Sequence, residues 1–145
     1  MTLVLDVGKT HAKLLLIDDA GDVVSRQTHV NQPLDTGTYT ALDTASLASW
    51  LTSAIATLPE RHRIRDLSIT THGAAFCLMD DHGLITPPMD YEWDGYGPKR
   101  EEWQRQASLF EETGSPALAL GLNAGLQLVW FKHTQPETWA QVRHI

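Results

Sequence analysis

From Met1 to Asp18 the chain runs two short apolar stretches around a tight polar turn, and no other segment narrows its choice of fold as far. Leu3, Val4 and Leu5 lead to Asp6. Gly8-Lys9-Thr10 turns the chain, and Leu14 to Ile17 return it to Asp18-Asp19-Ala20-Gly21. Two β-type runs joined by a glycine-containing turn read as a hairpin. The turn has what a polyphosphate needs. Gly8 lets the backbone approach closely, Thr10 offers a hydroxyl, and Lys9 and Lys13 offer positive charge. Asp6, at the strand end, is placed to hold a hydrated Mg²⁺. A P-loop does not fit: Leu3 stands where its first glycine belongs, and the residues after Thr10 are β-like rather than helical. An ordinary surface hairpin with idle charges is the plainer alternative.

Bulk properties exclude several classes. With 145 residues, 42% hydrophobic and 20% charged, the chain can build a sizeable core. Acidic residues outnumber basic ones 18 to 11, for a formal charge of −7, which argues against nucleic acid as a partner but not against a nucleotide. Cys77, the single cysteine, has no internal disulfide partner and reads as a buried, inert thiol. The histidines show no metal-ligand spacing. No basic leader precedes the first apolar run, and no apolar run reaches the roughly 20 residues of a membrane span. The expectation is a soluble, cytoplasmic protein with no membrane partner.

Strands come first. Asp22 to Val30 supplies a third strand, Asn31 to Thr38 a connector, and Asp43 to Leu58 the clearest helix, with Leu47, Leu51, Ala54, Ile55 and Leu58 on one face before Pro59. Arg65 to Thr70 reads as a strand with Leu67 and Ile69 on one face. Ala74 to Met79 is an apolar run turned by Asp80-Asp81-His82-Gly83 into Leu84-Ile85. Pro98 to Glu112 reads as a polar helix. Asn123 to Thr134 reads as a helix with Leu126, Val129, Trp130 and His133 inward, and Pro136 opens a last helix, with Trp139 to Ile145 in mid-helix. The sum is a mixed α/β layer with an antiparallel start.

The pattern Asp6-x-Gly8-x-Thr10-x-x-Lys13, followed by Asp19-Ala20-Gly21-Asp22 and Val23-Val24, resembles the first phosphate-binding segment of the superfamily of actins, heat-shock chaperones and sugar kinases. More closely, it resembles the start of an FGGY-family carbohydrate kinase. Lys9 departs from the usual Asp-x-Gly-Thr, exchanging a hydroxyl for a charge. The resemblance implies a ribonuclease-H-like (actin-like ATPase) lobe, with residues 1–145 as part of the N-terminal domain and the rest of that lobe and the second lobe outside it. It implies ATP and Mg²⁺ as cofactors, with Asp6 on the metal and Gly8, Lys9, Thr10 and Lys13 on the phosphates.

Three later segments extend it. Thr70-Thr71-His72-Gly73-Ala74 occupies the family's small-residue turn beside the sugar, where His72 can both donate and accept, or can merely satisfy a strand end. Trp93-Asp94 resembles the family's Trp-Asn/Asp segment. An indole covers the C–H face of a sugar and a carboxylate accepts two hydroxyls, though a tryptophan here can equally plug a core. Glu92 and Tyr96 are weaker candidates. Gly121 to Trp130 resembles the helix opened beside the sugar, with Asn123 either an N-cap or a sugar contact and Gln127 one turn on. The resemblance implies phosphorylation of a hydroxyl of a small sugar or polyol by the intact enzyme, with the catalytic aspartate beyond residue 145 and the fragment alone inactive. Its first sheet and the Asn123 to Ile145 face would be left uncovered and prone to self-association. The alternative is a non-catalytic sugar- or nucleotide-binding module or truncated subunit. A chaperone- or actin-like ATPase lobe gives Trp93-Asp94 no role.

Overall fold

The structure, a computed structural model, describes every residue from Met1 to Ile145. In chain order the strands are β1 (Thr2–Val7), β2 (His11–Ile17), β3 (Val23–Val30), β4 (Pro33–Asp35), β5 (Thr40–Leu42), β6 (Asp66–Thr71), β7 (Met79–Asp80) and β8 (Gly83–Leu84). The helices are α1 (Thr44–Ala56), α2 (Pro98–Gln106), α3 (Phe110–Thr113), α4 (Ala124–Thr134) and α5 (Pro136–Gln141). Two compact units result: Met1–Gln32 with Asp43–Gly73, and Pro33–Leu42 with Ala74–Ile145.

The first unit is built on a four-stranded sheet in the order β3-β2-β1-β6. β1 pairs antiparallel with β2 and parallel with β6, so the sheet is mixed, with the antiparallel start that the sequence predicts. Register explains the core. Leu3 faces Leu16 and Leu5 faces Leu14. All four are buried, and Ala54 and Leu58 from α1 and its end pack against them. Burying each such leucine contributes about 1.5–3 kcal/mol. Helix α1 starts where expected because the Asp43 carboxylate accepts the Ser46 N–H at 2.9 Å, a side-chain N-cap. Ile55 lies at the rim of the buried stripe and stays 36% exposed. On β6, Leu67 and Ile69 lie in register with Leu3 and Leu5 on the same sheet face, but at this edge strand the cover does not reach them, and they stay 63% and 60% exposed.

One ion cluster in this unit gives a pH test. The Met1 ammonium lies 3.3 Å, and the Arg65 guanidinium 2.5 Å, from Oδ1 of Asp19. The hydrogen bond from the amino terminus, then the charge of Arg65, hold the Asp19 carboxyl below its ordinary 3.8. A depressed folded-state value stabilises above the unfolded value and is lost as pH falls through the folded one. Asp19→Asn should therefore lower the urea midpoint slightly at pH 7, and the difference from wild type should shrink as the pH falls below the ordinary carboxylate range. A difference that persisted in acid would show the cluster to be irrelevant.

The second unit departs from the sequence reading at several places. The supposed connector holds a hairpin, β4 against β5. Strand β5 continues onto the chain at residues 88–90: Leu42 N–H donates to Pro88 O at 2.8 Å and Asp90 N–H to Thr40 O at 2.9 Å. The core comprises Tyr39, Leu78, Met89, Tyr96, Leu126, Trp130 and Phe131 with smaller neighbours. Most of the Ala74 to Met79 run is irregular, with only Met79 entering a strand. Cys77 is half-buried rather than buried. The polar helix is two helices, broken where Ala107 turns extended (φ −65°, ψ 137°). Beyond Trp103 it has no apolar stripe to hold against a core, and Leu109 and Phe110 are 66% and 57% exposed.

Helix α4 buries Leu126, Gln127, Trp130 and Phe131. Its inward face therefore runs through Phe131 and not His133, whose ring lies 3.3 Å from Nζ of Lys99 and 3.6 Å from Glu102 at the surface. Helix α5 stops at Gln141, and the last residues are extended rather than helical, Met79 N–H donating to His144 O at 3.0 Å. The apolar side of α4 is thus covered within its own unit. The most exposed apolar side chains are Leu67 and Ile69 on β6, Val23 and Val30 on β3, Leu109 and Phe110, and Ile145.

Candidate functional site

In the first unit the Gly8–Thr10 turn lies where β1 ends, beside the carboxyl end of the parallel strand β6. Ligands in open α/β sheets bind at such strand ends. Asp6 faces Lys13 across the hairpin, and Lys13 Nζ sits 3.2 Å from Asp6 Oδ2, each side chain a little over one-third exposed. Lys13 is therefore first of all the partner of Asp6. On the other side Asp6 is in register with Thr70, and Val7 with Thr71. Gly8 donates its N–H to His11 O at 3.0 Å, and a Cβ on Gly8 would lie 3.0 Å from that same oxygen, so a larger residue would force the turn open. Thr10 Oγ1 lies 3.0 Å from His11 Nδ1.

Asn31 gave no signal in the sequence. Its Nδ2 donates to Gly8 O at 2.8 Å and Lys9 O at 3.2 Å, and its backbone N–H to Thr10 O at 2.9 Å. His72 follows β6, its N–H on Val7 O at 3.3 Å and its ring Nδ1 3.2 Å from Gly73 O. These residues, Asp6, Gly8, Lys9, Thr10, Lys13, His72 and Gly73, all belong to the first unit.

The remaining candidates lie in the second unit. Trp93 is partly buried and meets Tyr39, Tyr96 and Trp130 edge-on, with centroids 6.4, 5.0 and 5.2 Å away. Its indole lies over Gly95, where any side chain would collide with it. Trp93 also lines an open groove of about 380 Å³ with Pro33, Asp35, Gly37, Thr38, Tyr39 and Thr40. The ring thus packs among core aromatics on its edges while it also borders the open groove. Asp94 points elsewhere: it pairs with Arg100, whose guanidinium also donates to Leu120 O at 3.2 Å and sits 5.3 Å from the Tyr96 ring centre. Tyr96 is buried with its hydroxyl donating to Met89 Sδ at 3.2 Å, and burial pushes its ionisation well above the usual phenol range.

Asn123 stands at the N-cap position of α4, but its side chain makes no cap bond. Oδ1 accepts Leu118 N–H at 2.8 Å and Nδ2 donates to Pro116 O at 3.0 Å, pinning the preceding loop. Gln127 is fully buried, with Nε2 donating to Gly121 O at 2.6 Å and Ala74 O at 2.9 Å. Its Oε1 is buried with no partner. Both amides thus brace loops of their own unit.

Neither the protein-family models nor the curated proteins contain a match to this chain. Solved structures do match. A carbohydrate kinase from Novosphingobium aromaticivorans superposes with a TM-score of 0.85 at 32% identity, over 97% of this chain and 30% of that one. The chain carries the N-terminal portion of the FGGY carbohydrate-kinase fold. A xyloylose kinase from Brucella ovis (TM-score 0.80, 20% identity, 97% and 31% covered) and a ligand-bound xylulose kinase from Lactobacillus acidophilus (0.77, 15%, 98% and 30%) share this fold. The chain spans about 30% of the length of these kinases. The mixed four-stranded sheet is the opening of the actin-like ATPase lobe in that kinase fold. No helix is long and apolar enough to cross a membrane.

The cofactors that this kinase fold implies can be tested against the residues. No group of three or more His, Cys, Asp or Glu side chains converges, so a dedicated metal cage does not fit. One carboxylate at a strand end fits a Mg²⁺ that keeps most of its water and takes its other ligands from phosphate, as this ion prefers. The glycine-tight turn beside it fits the phosphate.

Proposed function

We propose that the chain is the phosphate-gripping hairpin and part of the sugar pocket of an ATP-dependent carbohydrate kinase, within an N-terminal domain of which residues 1–145 are a part. The observation that carries this reading is the 32% identity over 97% of the chain to a carbohydrate kinase. The Asp6, Gly8 and Thr10 hairpin at the β1/β6 strand ends supports it from the chemistry. Asp6 would hold Mg²⁺ through water, the Gly8–Thr10 turn the phosphates, and Lys9 and Lys13 would offset charge. Bound ATP would supply the transferred phosphoryl group, and an aspartate beyond residue 145 would take the proton.

His72 and Gly73 in the first unit, and separately Trp93 in the second, are the candidates for direct contact with the sugar or polyol. Arg100 holds Asp94, so Asp94 would serve a hydroxyl only while shared with that guanidinium. Asn123 and Gln127 would act through the loops that they brace.

Trp93→Ala should weaken sugar binding about tenfold, because the ring contact is made with the ground state as much as with the transition state. Intrinsic tryptophan fluorescence against a panel of pentoses, deoxyhexoses and polyols checks the reading. A sugar that quenches wild type and not Trp93→Ala supports it. Quenching that survives the substitution would remove Trp93 from the pocket.

A further inference from the structure

We propose that Asn31 is a positioning residue for phosphate, setting the direction of the backbone in the Gly8–Thr10 turn; the inference rests on the phosphate reading of that turn. Asn31 directs its donors at three successive carbonyls. Its side-chain Nδ2 takes Gly8 O at 2.8 Å and Lys9 O at 3.2 Å, while its main-chain N–H takes Thr10 O at 2.9 Å. In a trans peptide the C=O and the following N–H point in opposite directions. Drawing the Gly8 and Lys9 carbonyls towards Asn31 therefore turns the Lys9 and Thr10 N–H groups to the far side of the turn. Successive N–H groups presented on one side make an anion-binding concavity, whereas carbonyl oxygens presented there would repel phosphate.

Position makes this residue suited to the task. Asn31 follows β3 directly, and β3 is held along its length by β2, with His11 opposite Val30. The brace is thus anchored to the sheet and not to the loop it holds. Groups that orient a ligand's direct contacts typically cost about 10–100-fold in affinity or activity when removed.

The test compares the 145-residue chain with Asn31→Ala, Asn31→Asp and Asn31→Ser, using inorganic tripolyphosphate with Mg²⁺ as the probe. Amide exchange and ¹⁵N chemical shifts supply the readouts. In Asn31→Ala the Lys9 and Thr10 amides should exchange faster and affinity for the probe should fall about tenfold or more. Asn31→Asp, which sets a carboxylate against carbonyl oxygens, should fall further, and Asn31→Ser, which keeps one donor, should lie between wild type and Asn31→Ala. Leu14 and Leu16 should keep wild-type protection in every variant that folds. A brace of structural importance alone would lower protection throughout the sheet and leave affinity unchanged in the folded molecules, which would overturn the proposal. Unchanged exchange at Lys9 and Thr10 would overturn it as well. If wild type fails to bind the probe although those amides depend on Asn31, the phosphate reading falls, and the positioning role falls with it.

Discussion

Trp130→Ala is expected to cost the second unit about 3–5 kcal/mol, the range for removing a large aromatic from a packed core. Trp130 is 4% exposed and meets Tyr39, Trp93 and Phe131 edge-on at 5.6, 5.2 and 5.2 Å. Aromatic pairs of this kind add about 0.5–1.5 kcal/mol each beyond buried area. A whole domain is stable by only about 5–15 kcal/mol, so the loss is a large fraction. The near-ultraviolet circular dichroism of the tryptophans should collapse at a lower urea concentration than in wild type. Trp50→Ala provides the contrast. Trp50 is half-buried in the first unit, stacked on His29 at 5.2 Å, and its removal should cost less. Equal midpoints for Trp130→Ala and wild type would show that the aromatic cluster does not hold the unit.

In the proposed kinase, Asp6→Asn should reduce turnover by about 100-fold or more, the usual cost of removing a preorganised electrostatic contact on developing charge. Sugar affinity should stay close to wild type, since the sugar makes no contact with this carboxylate in the proposed arrangement. Stability should barely change. The Asp6–Lys13 pair is over one-third exposed on both sides, and such pairs contribute about 0–1 kcal/mol. Steady-state assays at saturating sugar, with binding followed separately, divide the two effects. Loss of sugar binding with normal turnover would reverse the assignment of this hairpin.

The parts of the fold that were legible in the sequence are those held by short-range rules. Two apolar runs around a glycine-containing turn gave the β1–β2 hairpin, and Asp43 with Pro59 bracketed α1. The parts that were not legible depend on distant partners. Asn123 has the right type and place for a cap, yet Pro116 and Leu118 offer its amide better partners, which no local pattern announces. The β4–β5 hairpin forms against residues 88–90, far along the chain. Leu67 and Ile69 have strand periodicity, but periodicity cannot say how far across a sheet the cover of one face will reach. For the candidate site, Asp6, Gly8 and Trp93 could be nominated from sequence because the chemistry proposed for them is tied to residue type. Asn31 and Arg100 were not, because they act on neighbours brought together only by folding.

The central claim, that the Gly8–Thr10 turn is the phosphate site of a carbohydrate-kinase fold, is tested most directly by titrating the ¹⁵N-labelled chain with Mg-ADP. The account predicts saturable shifts at Gly8, Lys9, Thr10 and Lys13, lost in Asp6→Asn when Mg²⁺ is the shared ligand, with the α4 amides unmoved. Saturable shifts confined to the second unit, or none at the turn, would contradict it.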